Sequence, residues 1–340
     1  MAVGSAVSGK NMFLGLAMQS GIGVVGTVFD YYQPTDVSGV MEEYEFKKSD
    51  KRVGTRFAAL GRKGAKKIPF SFTVEANPGS VGRLLAVMTG AEAVVVTVVA
   101  EVGTHTFTMA EALPYFTLVV YSGGVADSSG SDKAHQLLDC KVNTWSLKGG
   151  VDGDVVKITI EGEALSRSAI AKPTPSYGDG TITPFILHSA GSYGTIKIGA
   201  NVGAAAQFDE ATEFSLQADN GLAADRRING TGTPVAIREG DSSVKGSMKV
   251  IFNDNTFDEL DAYQAGTERA LVATMTIDAA FYLTNKYSLK IEMDRTLYTG
   301  GKPTFDADVI SAELPFDVMN TTNFKIILVN DKVVAYSAAA

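Results

Sequence analysis

Hydrophobic and polar residues alternate in residues 67–90, and the pattern predicts a strand, a sharp turn and a short helix. The first part has the period of two that is typical of a strand with one buried face, at Ile68, Phe70, Phe72 and Val74. Turn residues follow at 77–79, Ser80 is a candidate helix cap, and Gly90 can end the helix. The hydrophobic positions of the predicted helix are Leu84, Leu85, Val87 and Met88.

The same pattern recurs in residues 244–266. The alternating residues are now Met248, Val250 and Phe252. Residues 253–255 predict the turn, and Thr256 is the candidate cap of a second short helix. This helix is expected to face inward through Phe257, Leu260 and Tyr263.

The spacing between the two copies is nearly constant. Asn77 matches Asn255, 178 positions later, and Gly90 matches Gly266, 176 positions later. The predicted register therefore drifts by two residues between the turn and the end of the helix. This agreement predicts one fold used twice.

A second pattern, two strands joined by a glycine-rich turn, also occurs twice. In the first half the strands are predicted at 137–147 and 155–163. In the second half the equivalent of Leu138 is Leu289, 151 residues later, and the second strand is expected at 307–312. The turn between them contains Gly300 and Gly301. Two matches in the same order favour duplication over chance similarity.

These patterns predict an all-β fold, of β-sandwich or barrel-like type, duplicated in tandem with one short α-helix in each copy. A length of 340 residues suits two domains. Residues 1–165 are expected to form the first domain, with an N-terminal arm and a long basic loop. The Pro/Ser/Gly-rich residues 166–180 are the expected linker, and 181–340 the second domain. Strands predicted at 324–329 and 332–336 give this domain a C-terminal hairpin.

Positive charge is concentrated in residues 47–67, although the whole chain has a formal charge of -8. Nine bases oppose only Asp50 there, so this stretch carries about +8 and the remainder about -16. A basic segment on an acidic body favours docking on another copy of the chain. A solvated loop and direct contact with nucleic acid are the alternatives. The candidate contact residues are Lys47, Lys48, Lys51, Arg52, Arg56, Arg62 and Lys63.

The uncharged residues 11–29 are compatible with a first strand, an arm that becomes ordered on a partner, or a targeting segment. Interrupting polar residues and the lack of an A-x-A cleavage site argue against targeting. The glycines at 21–26 formally match a dinucleotide-binding fingerprint. The β-branched residues around them and Pro34 disfavour the helix that such a site requires, so nucleotide binding is not expected.

Few residues suit catalysis or metal binding. The three histidines lack partners at the spacing of a catalytic triad: His105, His135 and His188. The carboxylates and amides at 253–259 lack the glycine and spacing of an EF-hand loop. The single Cys140 lies in an alternating strand, so we expect a buried, inert thiol and no intramolecular disulfide. We predict no catalytic, cofactor-binding or metal-binding residues and interpret the chain as a non-enzyme.

Three stretches resemble the tail tube proteins of long-tailed, non-contractile bacteriophages. They are GRKGAKKIPFSFTVEANPGSVGRLLAVMTG, CKVNTWSLKGGVDGDVVKITIEGEA and EFSLQADNGLAADRRI…AIREGDSSVKGSMKVIF. The resemblance covers roughly residues 30–318 and concerns the order of elements, not catalytic signatures. A doubled chain resembles the variants in which three two-domain subunits imitate a six-fold ring.

The resemblance implies a structural virion protein whose homotrimeric, pseudo-six-fold rings stack into a hollow tube through which DNA passes to the host. It also implies tape-measure, baseplate or tip, and tail-terminator proteins as partners. Synthesis in the host cytoplasm, no membrane contact and no cofactor are further expectations.

The long loop and the N-terminal arm would reach an adjacent ring, so the seven basic residues become candidate inter-ring contacts. Since only the first long loop is basic, we expect three strong contacts per ring. An acidic lumen would let double-stranded DNA slide without specific binding, because carboxylates repel phosphates.

Other functions remain open from the residues alone. A different self-assembling β protein, such as a baseplate, secretion-tube or surface-layer component, would share the repeated β pattern. A tandem β-sandwich carbohydrate-binding module would normally display exposed aromatic platforms, whereas the lone Trp145 lies in a repeated strand where core packing is expected. The shape of the polymer distinguishes these classes.

Overall fold

The computed structural model describes residues 12–48, 61–97, 101–123, 132–150, 155–177, 183–187, 194–227, 233–305, 310–320, 322 and 324–338. Strands dominate this part of the chain, and two α-helices interrupt them. The predicted all-β fold with one short helix in each copy is therefore confirmed.

The first repeat contains twelve strands and helix α1 (Val81–Thr89) among the described residues. The strands are β1 (Phe13–Met18), β2 (Asp30–Tyr32), β3 (Pro34–Gly39), β4 (Glu43–Lys48), β5 (Gly61–Lys67), β6 (Pro69–Glu75), β7 (Gly90–Val96), β8 (Gly103–Met109), β9 (Phe116–Tyr121), β10 (Lys133–Gly150), β11 (Lys157–Glu163) and β12 (Ser166–Ala171).

The second repeat contains eleven strands and helix α2 (Asp254–Ala265) in its described part. The strands are β13 (Gly194–Gly199), β14 (Ala206–Gln207), β15 (Ala211–Asp219), β16 (Ala223–Asp225), β17 (Ala236–Arg238), β18 (Ser243–Ile251), β19 (Arg269–Tyr282), β20 (Asn285–Tyr298), β21 (Lys302–Phe305), β22 (Ile310–Val318) and β23 (Phe324–Asn330).

The central sheet places the two repeats side by side. Its antiparallel order is β3-β6-β11-β10 from the first repeat, followed by β15-β18-β22-β20 from the second. Each group of four contains one long strand whose other half belongs to a second layer. The first half of β10 lies between β9 and β12, and the first half of β20 lies between β19 and β23.

Corresponding elements have corresponding neighbours. Strand β1 pairs with β9 as β13 pairs with β19, and the hairpin β4-β5 stands before β6 as β16-β17 stands before β18. A bulge in β3 and a bulge in β15 fall at Thr35 and Thr212. The Thr35 hydroxyl donates to the Thr73 carbonyl at 3.2 Å, and the Thr212 hydroxyl donates to the Lys249 carbonyl at 3.1 Å. The duplication thus extends to single hydrogen bonds.

The helix starts correct the predicted register. The Asn77 carbonyl accepts from the amide of Val81, and the Asn253 carbonyl accepts from the amide of Phe257. Asn77 therefore corresponds to Asn253, not to Asn255, and lies 176 positions away. Gly90 and Gly266 are also 176 apart, so the predicted drift of two residues was wrong.

Both helices end on the predicted glycines but do not begin with the predicted caps. Gly90 and Gly266 adopt φ of 90° and 63°, the left-handed region that glycine enters at low cost. In α2 the Asn253 side chain caps by accepting from the Thr256 amide at 3.2 Å. Ser80 precedes α1 without a side-chain cap bond, and its carbonyl accepts from the Tyr32 hydroxyl at 3.1 Å.

One packing contact is exchanged between the repeats. Phe70 on β6 lies over Gly162 of β11, where the hydrogen side chain is required because an added Cβ would clash with the Phe70 ring. In the second repeat Phe316 of β22 lies over Gly246 of β18, and an added Cβ there would clash with the Phe316 ring in the same way. The phenylalanine lies on the first strand of the pair in the first repeat and on the second strand of the pair in the second repeat. In each repeat, one phenylalanine ring therefore fills the space that one glycine leaves.

The larger of two hydrophobic clusters among the described residues contains residues from both repeats. Trp145 of β10 and Phe324 of β23 are buried with ring centroids 6.1 Å apart. The amide of Asn220 donates to the carbonyls of Met88 and Val142 at 3.3 and 3.0 Å, which joins the loop after β15 to the first repeat. Burial of apolar area is the main stabilising contribution to such a core.

Two predicted segments differ in the structure. The interval 166–180, the expected linker, begins with β12, which pairs with β10 and so extends the sheet of the first repeat. The predicted C-terminal hairpin has its first strand, β23, but residues 332–336 are not a strand. They cross to α1 instead, where Tyr336 is buried against Gly82.

Candidate assembly interfaces

The base of the long basic loop is the two-stranded hairpin β4-β5. Lys66 donates to Glu42 at 2.5 Å, and the Tyr44 hydroxyl donates to the same carboxylate at 2.7 Å. The Lys66 and Tyr44 hydrogen bonds hold the pKa of Glu42 below its ordinary value. Lys63 places its ammonium 4.3 Å from the Tyr44 ring centroid, a cation–π distance.

The structure places the seven candidate basic residues as follows. Lys47 and Lys48 lie on β4, opposite Arg62 and Gly61 of β5. Lys63, also on β5, has an exposed side chain. Lys51, Arg52 and Arg56 lie outside the described residues. Among the described strands, β4 and β5 pair only with each other, so Lys47, Lys48, Arg62 and Lys63 lie on a hairpin that is separate from the central sheet.

The equivalent hairpin β16-β17 is smaller and much less basic, because residues 225–240 contain three arginines and two acids, a net charge of +1. Asp225 accepts from Arg227 at 3.1 Å and from Arg238 at 2.7 Å. The hydrogen bond from Arg227 is the largest of the contacts that lower the pKa of Asp225. The second hairpin is thus less basic than the first, as the sequence indicates, and two of its arginines are paired with Asp225.

At its base, around the end of β17, the β16-β17 hairpin contacts the first repeat. The buried Lys141 ammonium contacts the Glu239 carboxylate, donates to the Ile237 carbonyl at 3.1 Å, and lies 4.2 Å from the Tyr115 ring centroid. The Leu113 amide donates to Glu239 at 2.9 Å. Burial raises the pKa of Glu239, but these hydrogen bonds outweigh it and the pKa is lowered.

Two edges of the central sheet have no neighbour among the described strands. Strand β3 pairs only with β6, and most of its side chains are exposed. At the other end, β21 pairs only with β22 and continues the line of β20. Open strand edges present unpaired backbone groups and favour pairing with another chain.

The two open edges correspond to strands that are paired inside the chain. Ser38 of β3 occupies the position of Ser215 in β15, because Ser71 and Ser247 are their equivalent partners on β6 and β18. Thr304 of β21 occupies the position of Lys148 in β10, because their partners on β22 and β11 are equivalent. These two residues are 156 positions apart, so the offset of 151 predicted for this hairpin was wrong here. Within the chain, Lys148 and Ser215 are directly opposite each other.

Groups that resembled catalytic candidates serve the fold. Cys140 is fully buried, and burial raises the pKa of its thiol well above the usual value. The Arg167 guanidinium lies 2.9 Å from Nδ1 of His135. Burial, and to a smaller extent the charge of Arg167, lowers the pKa of His135. His188 lies outside the described residues. Within the described part of the chain, no three His, Cys, Asp or Glu side chains cluster as a metal site would require.

The glycine-rich run at 21–26 follows strand β1, but no helix begins after it within the described residues 12–48, as a dinucleotide-binding site would require. Its amides are engaged by the protein: Gly23 donates to Asp139 at 2.6 Å, and Gly26 donates to the Thr117 hydroxyl at 3.0 Å. Strand β1 itself is buried along its whole length. Residues 13–18 are therefore an ordinary strand, and residues 1–11 lie outside the described residues.

Sequence inspection missed a buried polar cluster around the C-terminal segment. The imidazole of His105 lies 2.7 Å from Glu92 and 2.7 Å from the Lys332 carbonyl. Glu92 also accepts from the amides of Tyr336 and Ser337 at 3.1 and 2.6 Å. Burial raises the pKa of Glu92, but these hydrogen bonds outweigh it and hold the pKa below its ordinary value. No sequence signal joins positions more than 240 residues apart.

A second buried carboxylate supports α2. Glu259 accepts from Arg269 at 3.2 Å and from the Tyr298 hydroxyl at 2.9 Å. Burial is the largest influence on Glu259 and raises its pKa, and burial also raises the pKa of Tyr298. Both carboxylates are engaged by the protein itself and hold segments against the sheet.

The chain shows low similarity to solved structures. None of the helices among the described residues is long and apolar enough to cross a membrane. No curated protein matches the chain. Two solved structures are similar at 10% identity each. The baseplate of the anti-feeding prophage has a TM-score of 0.31, covering 50% of this chain and 98% of the other. The SPP1 tail tube has a TM-score of 0.23, covering 57% and 79%.

A protein-family match is decisive. The family described as "Phage tail tube protein" matches residues 9–318, which is most of the chain. That range includes strands β1 to β22, and with them both hairpins and both open sheet edges. The chain belongs to the phage tail tube protein family and is a structural component of the phage virion.

Proposed function

We propose that three copies of this chain close a pseudo-six-fold ring and that the rings stack into the tube of a long, non-contractile phage tail. The observation that carries this proposal is the junction between β10 and β15. There two repeats of the same fold already join through one antiparallel ladder, and equivalent edges remain open at both ends of the described central sheet. A head-to-tail contact of this kind generates a closed ring when its rotation fits.

The ring contact pairs β21 of one chain with β3 of the next. If it repeats the register inside the chain, Thr304 lies opposite Ser38 of the neighbouring copy, as Lys148 lies opposite Ser215. Both side chains are exposed in the single chain. Three such contacts alternate with three intrachain junctions around the ring.

Stacking of the rings uses the basic hairpin. The candidate contacts are the seven basic residues of the first hairpin, which face an acidic body in the adjacent ring. Residues 225–240 of the second hairpin carry a net charge of only +1, and Asp225 pairs with Arg227 and Arg238, so each ring offers three strong contacts. The net negative charge of -8 favours passage of double-stranded DNA without specific binding. Tape-measure, baseplate or tip, and tail-terminator proteins would bind the tube after its synthesis in the host cytoplasm.

Cysteine cross-linking combined with negative-stain electron microscopy tests the proposal. The double variant Ser38→Cys/Thr304→Cys should form a chain-to-chain disulfide and covalent trimers, because directly opposite residues have Cα atoms within disulfide reach. The control pair Ser38→Cys/Lys302→Cys is displaced by two residues and should cross-link poorly. Closed shells or flat sheets, or equal cross-linking of both pairs, would refute this ring.

Charge reversal tests the stacking. A variant with Lys47, Lys48, Lys51 and Arg52 all changed to Glu should form rings that no longer stack. Tubes of unchanged length and salt resistance would contradict the inter-ring role.

A further inference from the structure

A peptide segment seals the start of helix α1. The Val156 amide donates to the Phe185 carbonyl, the Phe185 amide donates to the Ala76 carbonyl, and the Ala76 amide donates to the Val156 carbonyl, each at 2.8 Å. The Phe185 side chain is fully buried. Residues 183–187 are thus an extended segment inserted between the end of β6 and the start of β11, beside α1.

The second repeat has the same opening without the inserted segment. Phe252 corresponds to Ala76, and Ile310 corresponds to Val156, because the Phe252 amide donates to the Ile310 carbonyl at 2.9 Å. The other two hydrogen bonds of the first repeat both involve Phe185. Among the described residues, none takes the place of Phe185 in the second repeat.

The unsealed opening exposes large apolar side chains. Ile251, Phe257 and Ile310 are 44%, 53% and 38% exposed, and the Phe252 and Phe257 rings lie 4.9 Å apart. All nine residues of α1, in contrast, are buried. The sequence prediction that Phe257 and Tyr263 face inward was therefore wrong, since both are exposed. We call the opening lined by Ile251, Phe252, Phe257 and Ile310 the second-repeat cleft.

An acidic stripe borders this cleft. Asp254, Asp258 and Asp261 are exposed on α2 and recur at intervals of four and three residues, on the helix face that also carries Phe257. None of the three forms a salt bridge within the described part of the chain. An occupant should therefore combine an aromatic residue with flanking positive charge.

Residues 52–60 of this chain have that chemistry. The sequence RVGTRFAAL places Phe57 directly after Arg56 and five positions after Arg52. Twelve residues connect Lys48 with Gly61, so this part of the chain can extend up to about 20 Å beyond the last pair of the β4-β5 hairpin. The segment in its own chain belongs to the first repeat, which has its equivalent opening filled by Phe185.

We propose that the second-repeat cleft binds residues 52–60 of another copy of the chain, with Phe57 in the place that Phe185 takes in the first repeat. This inference rests on the proposed stacking of rings and gives its basic hairpin a specific acceptor. The segment adds backbone hydrogen bonds at the Ile310 amide and the Phe252 carbonyl, as peptides do when they extend a sheet. Arg52 and Arg56 then lie beside the acidic stripe.

Peptide binding to the unassembled full-length chain tests the proposal separately from ring formation. A fluorescent peptide of residues 50–62 should bind, measured by anisotropy. Changing Phe57→Ala in the peptide, or Phe257→Ser in the protein, should weaken binding by about tenfold or more, because each removes the buried aromatic contact. The matched protein control is Leu283→Ser, which changes another exposed residue, 76% exposed, in the turn between β19 and β20.

Several outcomes would overturn the inference. Binding that is absent, or equal for wild type and Phe257→Ser, rules out the cleft. If the wild-type and Phe57→Ala peptides bind equally and binding is lost in 0.5 M salt (about 4 Å screening length), the interaction is electrostatic attraction only. If a peptide of residues 183–187 binds and that of 50–62 does not, the cleft accepts a different segment and the assignment to residues 52–60 is wrong. Specific peptide binding by a protein that never forms rings would refute the proposed function and leave the cleft assignment standing.

Discussion

The C-terminal segment is held by a buried carboxylate, and its replacement gives a sharp prediction. The Glu92 side chain is fully buried and accepts hydrogen bonds from His105 and from the amides of Tyr336 and Ser337. The two ring nitrogens of His105 lie 2.7 Å from the Glu92 carboxylate and 2.7 Å from the Lys332 carbonyl. The Glu92 carboxylate therefore holds the C-terminal segment through one side chain and two backbone amides at once.

Glu92→Gln keeps the shape of the side chain but removes its charge and one acceptor. Leaving buried hydrogen-bonding groups without their partner typically costs about 1–3 kcal/mol, more where a charged group such as the Glu92 carboxylate is involved, and the glutamine oxygen retains part of the contact. We expect a loss of about 3 kcal/mol at neutral pH, close to a hundredfold increase in local opening. Hydrogen–deuterium exchange of the peptide covering residues 324–338 should accelerate accordingly. Glu111→Gln, at an exposed position, is the control and should leave exchange unchanged.

The pH dependence gives the refuting result. Because the folded pKa of Glu92 is lowered, its contribution to stability is complete above the ordinary value of 4.5 and is lost as the pH falls through the folded pKa. The difference in urea midpoint between wild type and Glu92→Gln should therefore shrink below about pH 4. Equal stability at pH 7, or a difference that persists unchanged in acid, would refute the reasoning.

Three further predictions concern packing and burial. Gly246→Phe should lower the free energy of unfolding, measured in urea, by about 2 kcal/mol, because the new ring overpacks against Phe316. The double variant Gly246→Phe/Phe316→Gly should be more stable than the sum of the two single changes predicts. Strict additivity would contradict the exchange of large and small residues. Lys141→Met should cost about 3 kcal/mol because Glu239 loses its charged partner, whereas Lys148→Met, at an exposed ion pair, should cost under about 1 kcal/mol; similar values for the two would contradict the burial argument. Cys140 should react with a thiol reagent at pH 8 only after unfolding, and rapid labelling of the folded chain would count against its buried thiol.

Local patterns were sufficient to predict the strands and the repetition. Phe70, Phe72 and Val74 alternate because one face of β6 is buried, and that face is the one the structure buries. Gly90 and Gly266 end helices because they adopt positive φ, a requirement visible in the sequence. Signals that act within about ten residues therefore predicted element type and order.

Contacts between distant segments were beyond such patterns. Phe257 and Tyr263 look like core residues of a helix, but whether a helix face is covered depends on another segment reaching it. The segment at 332–336 was predicted to be a strand, yet it contacts Glu92, His105 and the space over Gly82 instead of forming a hairpin with β23. The sheet edges at β3 and β21 became interpretable only when their equivalents inside the chain were known.

The β10-β15 ladder has a kinetic consequence for any ring built from this chain. Each bimolecular encounter must offset several kcal/mol of lost translational and rotational freedom, with estimates of about 4–15 kcal/mol. Joining two repeats covalently makes one of every two junctions intramolecular, so its effective concentration no longer depends on the amount of protein in the cell. The same linkage frees the two halves to diverge, since each junction has its own pair of strands. Closure of the proposed ring of three chains requires three encounters, and the alternate junctions arrive already formed.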